Sequence, residues 1–167
     1  MAQSSTSTSN RANALAERLL KGANALATYA EGLSEDEWQT PVIGDGRPVG
    51  VVVHHVASVY PIEVELAQLL AKGEPITEAT PEVINQMNAN HAQEYKNVCK
   101  QETLELLKKN SKIAANSIRE FADEDLDSAA TVSLNANAPL TAQFFIEDHA
   151  LRHSFHHLAK IKTAIGK

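Results

Sequence analysis

The amino-acid sequence predicts an all-α protein folded as an antiparallel four-helix bundle. Two observations lead there. Through most of the chain apolar residues recur at intervals of three and four, the period of helices that bury one stripe. The alternation expected of strands occurs only in Thr131-Val132-Ser133-Leu134, which is too short to organise a sheet.

Met1 to Asn10 are rich in Ser and Thr and read as a disordered tail, leaving residues 11–167 as one bundle domain. The first helix is expected from about Arg11 to Leu33, with Leu15, Leu19, Leu26, Tyr29 and Leu33 on its buried stripe. Gly22 costs it about 1 kcal/mol relative to Ala, an amount that packing can offset. Ser34 and Glu37 have capping-box spacing and start a short turn that carries Trp38. Thr40 to Arg47 is a loop, punctuated by Pro41, Gly44 and Gly46.

Pro48 suits the first position of a second helix, where its missing N–H would have had no partner. This helix should reach about Ala71 with the seam Val52, His55, Val59, Ile62, Leu66 and Leu69. Pro61 leaves the Ala57 carbonyl without its helical donor and predicts a kink. Lys72 to Pro75 ends the helix, and Thr80-Pro81 opens the third. Its inward residues are Ile84, Met87, His91, Tyr95 and Val98, then Leu104, Leu107, Ala114, Ile118 and Phe121. The two sets do not share a phase, so a break is expected across Cys99 to Glu102, with Cys99 as a buried filler. Asp123, Glu124, Asp125 and Asp127 oppose a helix C-terminus and end it. After an irregular connection from about Ala122 to Pro139, Thr141 caps a last helix that runs to about Ile165.

Four of the seven histidines, His149, His153, His156 and His157, fall in this last helix. Its apolar seam reads Ile146, Ala150, His153, His157, Ile161 and Ala164, so His153 and His157 look inward, four residues apart on one face. His149 sits at the border of the seam and His156 faces water. A buried imidazole without a partner costs about 1 to 3 kcal/mol, so two in one seam need a hydrogen-bonded neighbour or an ion. On the second helix His55 occupies a seam position, whereas His54 is rotated away with Val51, Ser58 and Glu65. Bundles build metal sites from facing helices, and three neutral imidazoles with a vacant fourth position are the ligand count of a catalytic zinc site. The same set suits nickel, iron or copper.

Composition limits the partners. A net charge of -6, with 15 Lys and Arg against 21 Asp and Glu, leaves no concentrated basic patch for nucleic acid. No uninterrupted apolar run is long enough to suggest a membrane span. One cysteine, Cys99, and no secretory signal pattern point to a reducing, cytoplasmic setting.

Three stretches carry a family likeness: Gly-Leu-Ser-Glu-Asp-Glu-Trp (Gly32 to Trp38), Arg-Pro-Val-x5-His-Val-Ala (Arg47 to Ala57) and His-x-x-His-His-Leu-x-x-Ile (His153 to Ile161). In them the chain resembles the DinB/YfiT-like superfamily of small metal-binding four-helix bundles. The resemblance implies a metal triad made by His55, His153 and His157. Lys160 stands where that family usually carries Gln or His. The superfamily includes isomerases and transferases that use low-molecular-weight thiols, alongside members of no assigned activity.

Two functions remain open at this level. One is a metal-dependent enzyme, of transferase or hydrolase type, whose divalent ion, zinc or nickel, activates a water or a low-molecular-weight thiol toward a small-molecule substrate. In it His91 and His149 are second-choice acid/base candidates, and no Ser-His-Asp or paired-carboxylate arrangement is evident. The other is a non-catalytic, stress-related bundle whose metal ties two helices together, with a homodimer left open. Access to the metal separates them.

Overall fold

A computed structural model describes residues 9–167, and most of the expected tail, Met1 to Thr8, lies outside them. Ser9 and Asn10 are not tail residues. The Ser9 hydroxyl accepts from Ala12 N–H and caps α1, Asn10–Glu31. The remaining helices are α2 (Glu35–Trp38), α3 (Val49–Ala71), α4 (Pro81–Glu94), α5 (Lys100–Arg119), α6 (Asp123–Asp127), α7 (Ala142–Phe145) and α8 (Arg152–Ile165). A π-helical segment, Ile146–Leu151, joins α7 to α8. Of the alternating stretch only Thr131 and Val132 are extended, as the end of β1 (Ala129–Val132), which pairs antiparallel with β2 (Ala138–Thr141) in a small hairpin, whereas Ser133 and Leu134 fall in the 3-10 turn between the strands.

The bundle consists of α1, α3, α5 and α8, and its chain direction can be read from the side chains that meet. Arg119 pairs with Glu17 at 2.5 Å and Lys100 donates to the Leu33 carbonyl at 2.7 Å, so α1 and α5 are antiparallel. Glu63 meets His153 while His55 lies beside His157, so α3 and α8 are antiparallel as well. Gly22 faces Phe155 and Tyr29 lies under Lys162, so α1 and α8 run the same way. Asn110 reaches Ala57, and Gln68 and Ser117 line one cleft, which makes α3 and α5 parallel.

That parallel pair explains α4. A 23-residue helix is about 34 Å long, and the chain leaving one end of α3 must return to the other before α5 can start. The α4 arm makes this return on the outside of the bundle. None of its residues is buried. Met87, expected inside, is 44% exposed, and Cys99, expected as filler, is exposed at the first turn of α5, because the phase break is where the chain turns through solvent.

Helix α3 carries two apolar faces, and the expected seam is only one of them. Val53, Val56, Ala57, Tyr60, Val64, Ala67 and Leu70 form the side buried in the bundle. Val52 and His55 are buried too, but Val59, Leu66 and Leu69 are half-buried and Ile62 is 40% exposed. Val59, Ile62 and Leu66 line a cleft with α4 and the hairpin. The apolar run Val49 to Val53 fixes no phase, so periodicity could not rank the two faces. The same helix is long and apolar enough to cross a membrane, but 67% of its most apolar window is buried inside the bundle.

Pro61 lies within α3, and the carbonyl it deprives of a donor is satisfied from outside: Asn110 Nδ2 of α5 donates to Ala57 O at 2.9 Å. Trp38 is 1% exposed, donates from Nε1 to the Val98 carbonyl, and lies where a Cβ on Gly50 would sit at 2.4 Å. Trp38 thus pins the α2 connection over the start of α3.

Candidate metal centre

Three imidazoles from two helices converge on one point. His55 is in the second turn of α3, and His153 and His157 are one turn apart in α8, directly after the π-helical segment. Each offers a ring nitrogen, and these three atoms lie within 4.8 Å of one another. His55 Nε2 and His153 Nε2 are 3.1 Å apart, and ring centroids are separated by 5.1 Å (His55 to His153), 5.5 Å (His55 to His157) and 4.9 Å (His153 to His157). His55 and His157 are buried, and His153 is partly open.

The environment keeps two of the rings neutral. Burial, then the charge on His153, push His55 down to about 2, and the same causes take His157 to about 3. The Arg47 guanidinium adds to both shifts. It is held by Asp45 through Nε at 2.6 Å and Nη2 at 2.7 Å, so a half-buried ion pair flanks the centre. Neutral imidazole is the form that binds a metal.

Outer contacts fix the rings. Glu63 of α3 is buried and its Oε1 accepts from His153 Nδ1 at 2.6 Å, which leaves Nε2 of that ring turned to the other two imidazoles. On the other side His91 of α4 packs edge-on to His55 at 5.6 Å and bonds His54 Nδ1 at 2.9 Å, and Tyr95 stacks on His54. His149 stacks on Phe145, with Nε2 3.3 Å from Asn135 Oδ1. Two clefts reach the centre, one walled by α3, α4 and the hairpin and one along α8 by Arg152 and His156.

The donor set fits a divalent cation. Buried His157 Nδ1 has no hydrogen-bond partner among the described residues, an expense that a hydrogen-bonded core histidine would avoid. His55 and His153 present Nε2 atoms to each other, a contact in which one neutral ring must act only as acceptor. Among the described residues no fourth His, Cys, Asp or Glu completes the group.

Residues 18–161 match the model of the DinB superfamily. The chain belongs to the DinB superfamily. Among solved structures this DinB superfamily member is similar to YfiT from Bacillus subtilis, a probable metal-dependent hydrolase with an unusual four-helix bundle topology. The two share 18% identity over 99% of this chain and 94% of that one, with a TM-score of 0.73. At this identity the likeness speaks for the fold. No curated protein matches the chain.

In this DinB superfamily member the structure brings together the three histidines singled out from the sequence. It also leaves His156 exposed and sets His54 Nδ1 3.3 Å from the Ser58 hydroxyl, as expected. Glu63 was missed. It follows His55 by two helical turns, but Glu65 has equal claim by sequence and faces solvent, so no local signal separates them. Arg47 and Asp45 read only as loop residues. Replacing Glu63 by Gln keeps the shape and removes the charge behind His153. Metal affinity should fall roughly 10- to 100-fold, measured by competition with a chromophoric chelator. Unchanged affinity would mean that Glu63 does not orient the ligand.

Proposed function

We propose that the protein is a metal-dependent enzyme of hydrolase or transferase type, in which His55, His153 and His157 hold a divalent transition metal, zinc or nickel. The observation that carries this reading is the open triad: three ring nitrogens within 4.8 Å, no fourth protein ligand among the described residues, and clefts that reach His153 from two sides. A structural ion that ties helices together is closed by four protein groups, so the open triad favours catalysis. The description of YfiT as a probable metal-dependent hydrolase supports the same reading.

An ion held by three imidazoles supplies Lewis acidity and lowers the pKa of a coordinated water or low-molecular-weight thiol toward neutrality. The chain's residues do the rest. Glu63 holds the Nδ1 proton of His153 and so fixes that ring's tautomer. Burial keeps His55 and His157 unprotonated at neutral pH, so no proton need leave them before an ion binds.

Protein purified without a nickel column should be assayed, metal-loaded and after chelation, for hydrolysis of a panel of esters and amides and for coupling of low-molecular-weight thiols to electrophiles. Activity that chelation abolishes and zinc or nickel restores is the expected result. Inactivity of the metal-loaded protein in both arms would turn the reading back to a non-catalytic metal-binding bundle.

A further inference from the structure

The cleft between α3, α4 and the hairpin is chemically unlike its neighbour along α8. It encloses a cavity of about 150 Å³ whose wall includes the metal-site rings of His55 and His153. The rest of that wall is mostly apolar, with Val59, Ile62 and Leu66 from α3, Ile84 and Met87 from α4, and Phe145 ahead of the π-helical segment. The polar side chains of the wall are those of Asn88, Glu63 and the imidazoles. The cavity exists because α4 buries nothing in the core, so the second apolar face of α3 and the facing side of α4 stay apart. Ile62 and Met87 therefore remain 40% and 44% exposed beside it, an apolar surface that a ligand would cover.

We propose that this cavity is the subsite for the organic part of the substrate and selects a neutral aromatic or branched aliphatic group about the size of a benzene ring. The proposal rests on the metal-centre reading above, because the group must be attached to the atom that meets the metal. A dry cavity of about 150 Å³ lined by aliphatic and aromatic side chains holds one benzene. Anionic groups are disfavoured. The non-histidine ionisable residue of the lining is Glu63, whose Oε2 is buried without a hydrogen-bond partner among the described residues, and a second negative charge beside it in a space of low dielectric is repelled.

The test uses thiols as probes of the cobalt(II)-loaded protein. A thiol that coordinates gives up its proton to the buffer and produces a sulfur-to-cobalt charge-transfer absorption, which reports binding directly. Phenylmethanethiol should bind on the order of 30-fold more tightly than 2-mercaptoethanol, from the transfer of its ring out of water. Ile84→Trp fills the cavity from an arm that contributes nothing to the core. It should bring the two thiols to equal affinity while the protein still takes up one equivalent of cobalt, and Met87→Trp, from an exposed position, repeats the test.

Equal binding of the two thiols to the unaltered protein would overturn the proposal with the metal centre intact. So would a preference that survives both tryptophans, since the ring would then lie elsewhere. Failure to bind cobalt at all would remove the metal centre and the subsite together.

Discussion

Loss of stoichiometric metal is the expected result of replacing any one of His55, His153 or His157 by alanine. The unaltered protein, purified without a nickel column and dialysed, should retain about one equivalent of a divalent transition metal by elemental analysis. Each variant removes a ligand itself, so its effect must exceed the roughly 10- to 100-fold that loss of an outer partner costs. His156→Ala is the control. It lies next to His157 in sequence but is exposed, and it should keep its metal. The three variants should remain folded, because the helices are held by a continuous apolar core from Leu15 to Ile161 that does not depend on the ion. Retention of metal by any of the three would remove that residue from the centre, and retention by all would remove the centre.

Acid should destabilise the metal-free protein well above the range in which carboxylates titrate. His55 and His157 have pKa values pushed down to about 2 and about 3 in the folded state, whereas in the unfolded chain each titrates near its ordinary value of about 6.5. Lowered folded values mean that below pH 6.5 the unfolded chain takes up protons that the folded protein refuses. Stability is therefore complete above about pH 6.5 and is lost as the pH falls toward the folded values. The slope is about 1.4 kcal/mol per pH unit for each group, so between pH 6.5 and pH 5 the pair costs on the order of 4 kcal/mol. Urea unfolding of chelated protein across this window measures it. The His55→Ala, His157→Ala double variant should lose the share of these two rings, leaving that of His91, which burial pushes down to about 4, and of His54 and His149, which burial also lowers. A flat profile in the unaltered protein would show that these rings are not held neutral by burial.

Much of the fold and the centre was legible in the sequence because the rule involved is local. His153 and His157 interrupt an apolar seam four residues apart, and His55 does the same in a second helix, so facing helices suffice to bring them together. Features that depend on which face meets which element were not legible. The seam chosen on α3, through Val59, Ile62 and Leu66, faces the cavity, because Val53, Tyr60 and Leu70 define an equally apolar face that packs in the bundle. The arm status of α4 follows from the parallel run of α3 and α5, a property of chain routing that no periodicity contains. The hairpin was visible only as four alternating residues, since its second strand, Ala138–Thr141, contains Pro139 and has no strand-like pattern of its own.

The π-helical turn from Ile146 to Leu151 lies immediately ahead of His153. Such a turn accommodates about one residue more than an α-helical path of the same length, and it is uncommon away from working parts of proteins. Each residue contributes about 100° of rotation, so the same residues wound as an ordinary α-helix would carry both downstream imidazoles round the axis and away from α3, and the wide turn is what absorbs the extra residue. The pairing of α8 with α3 therefore depends on the turn staying wide, and drawing it into α-helical geometry would move His153 and His157 together.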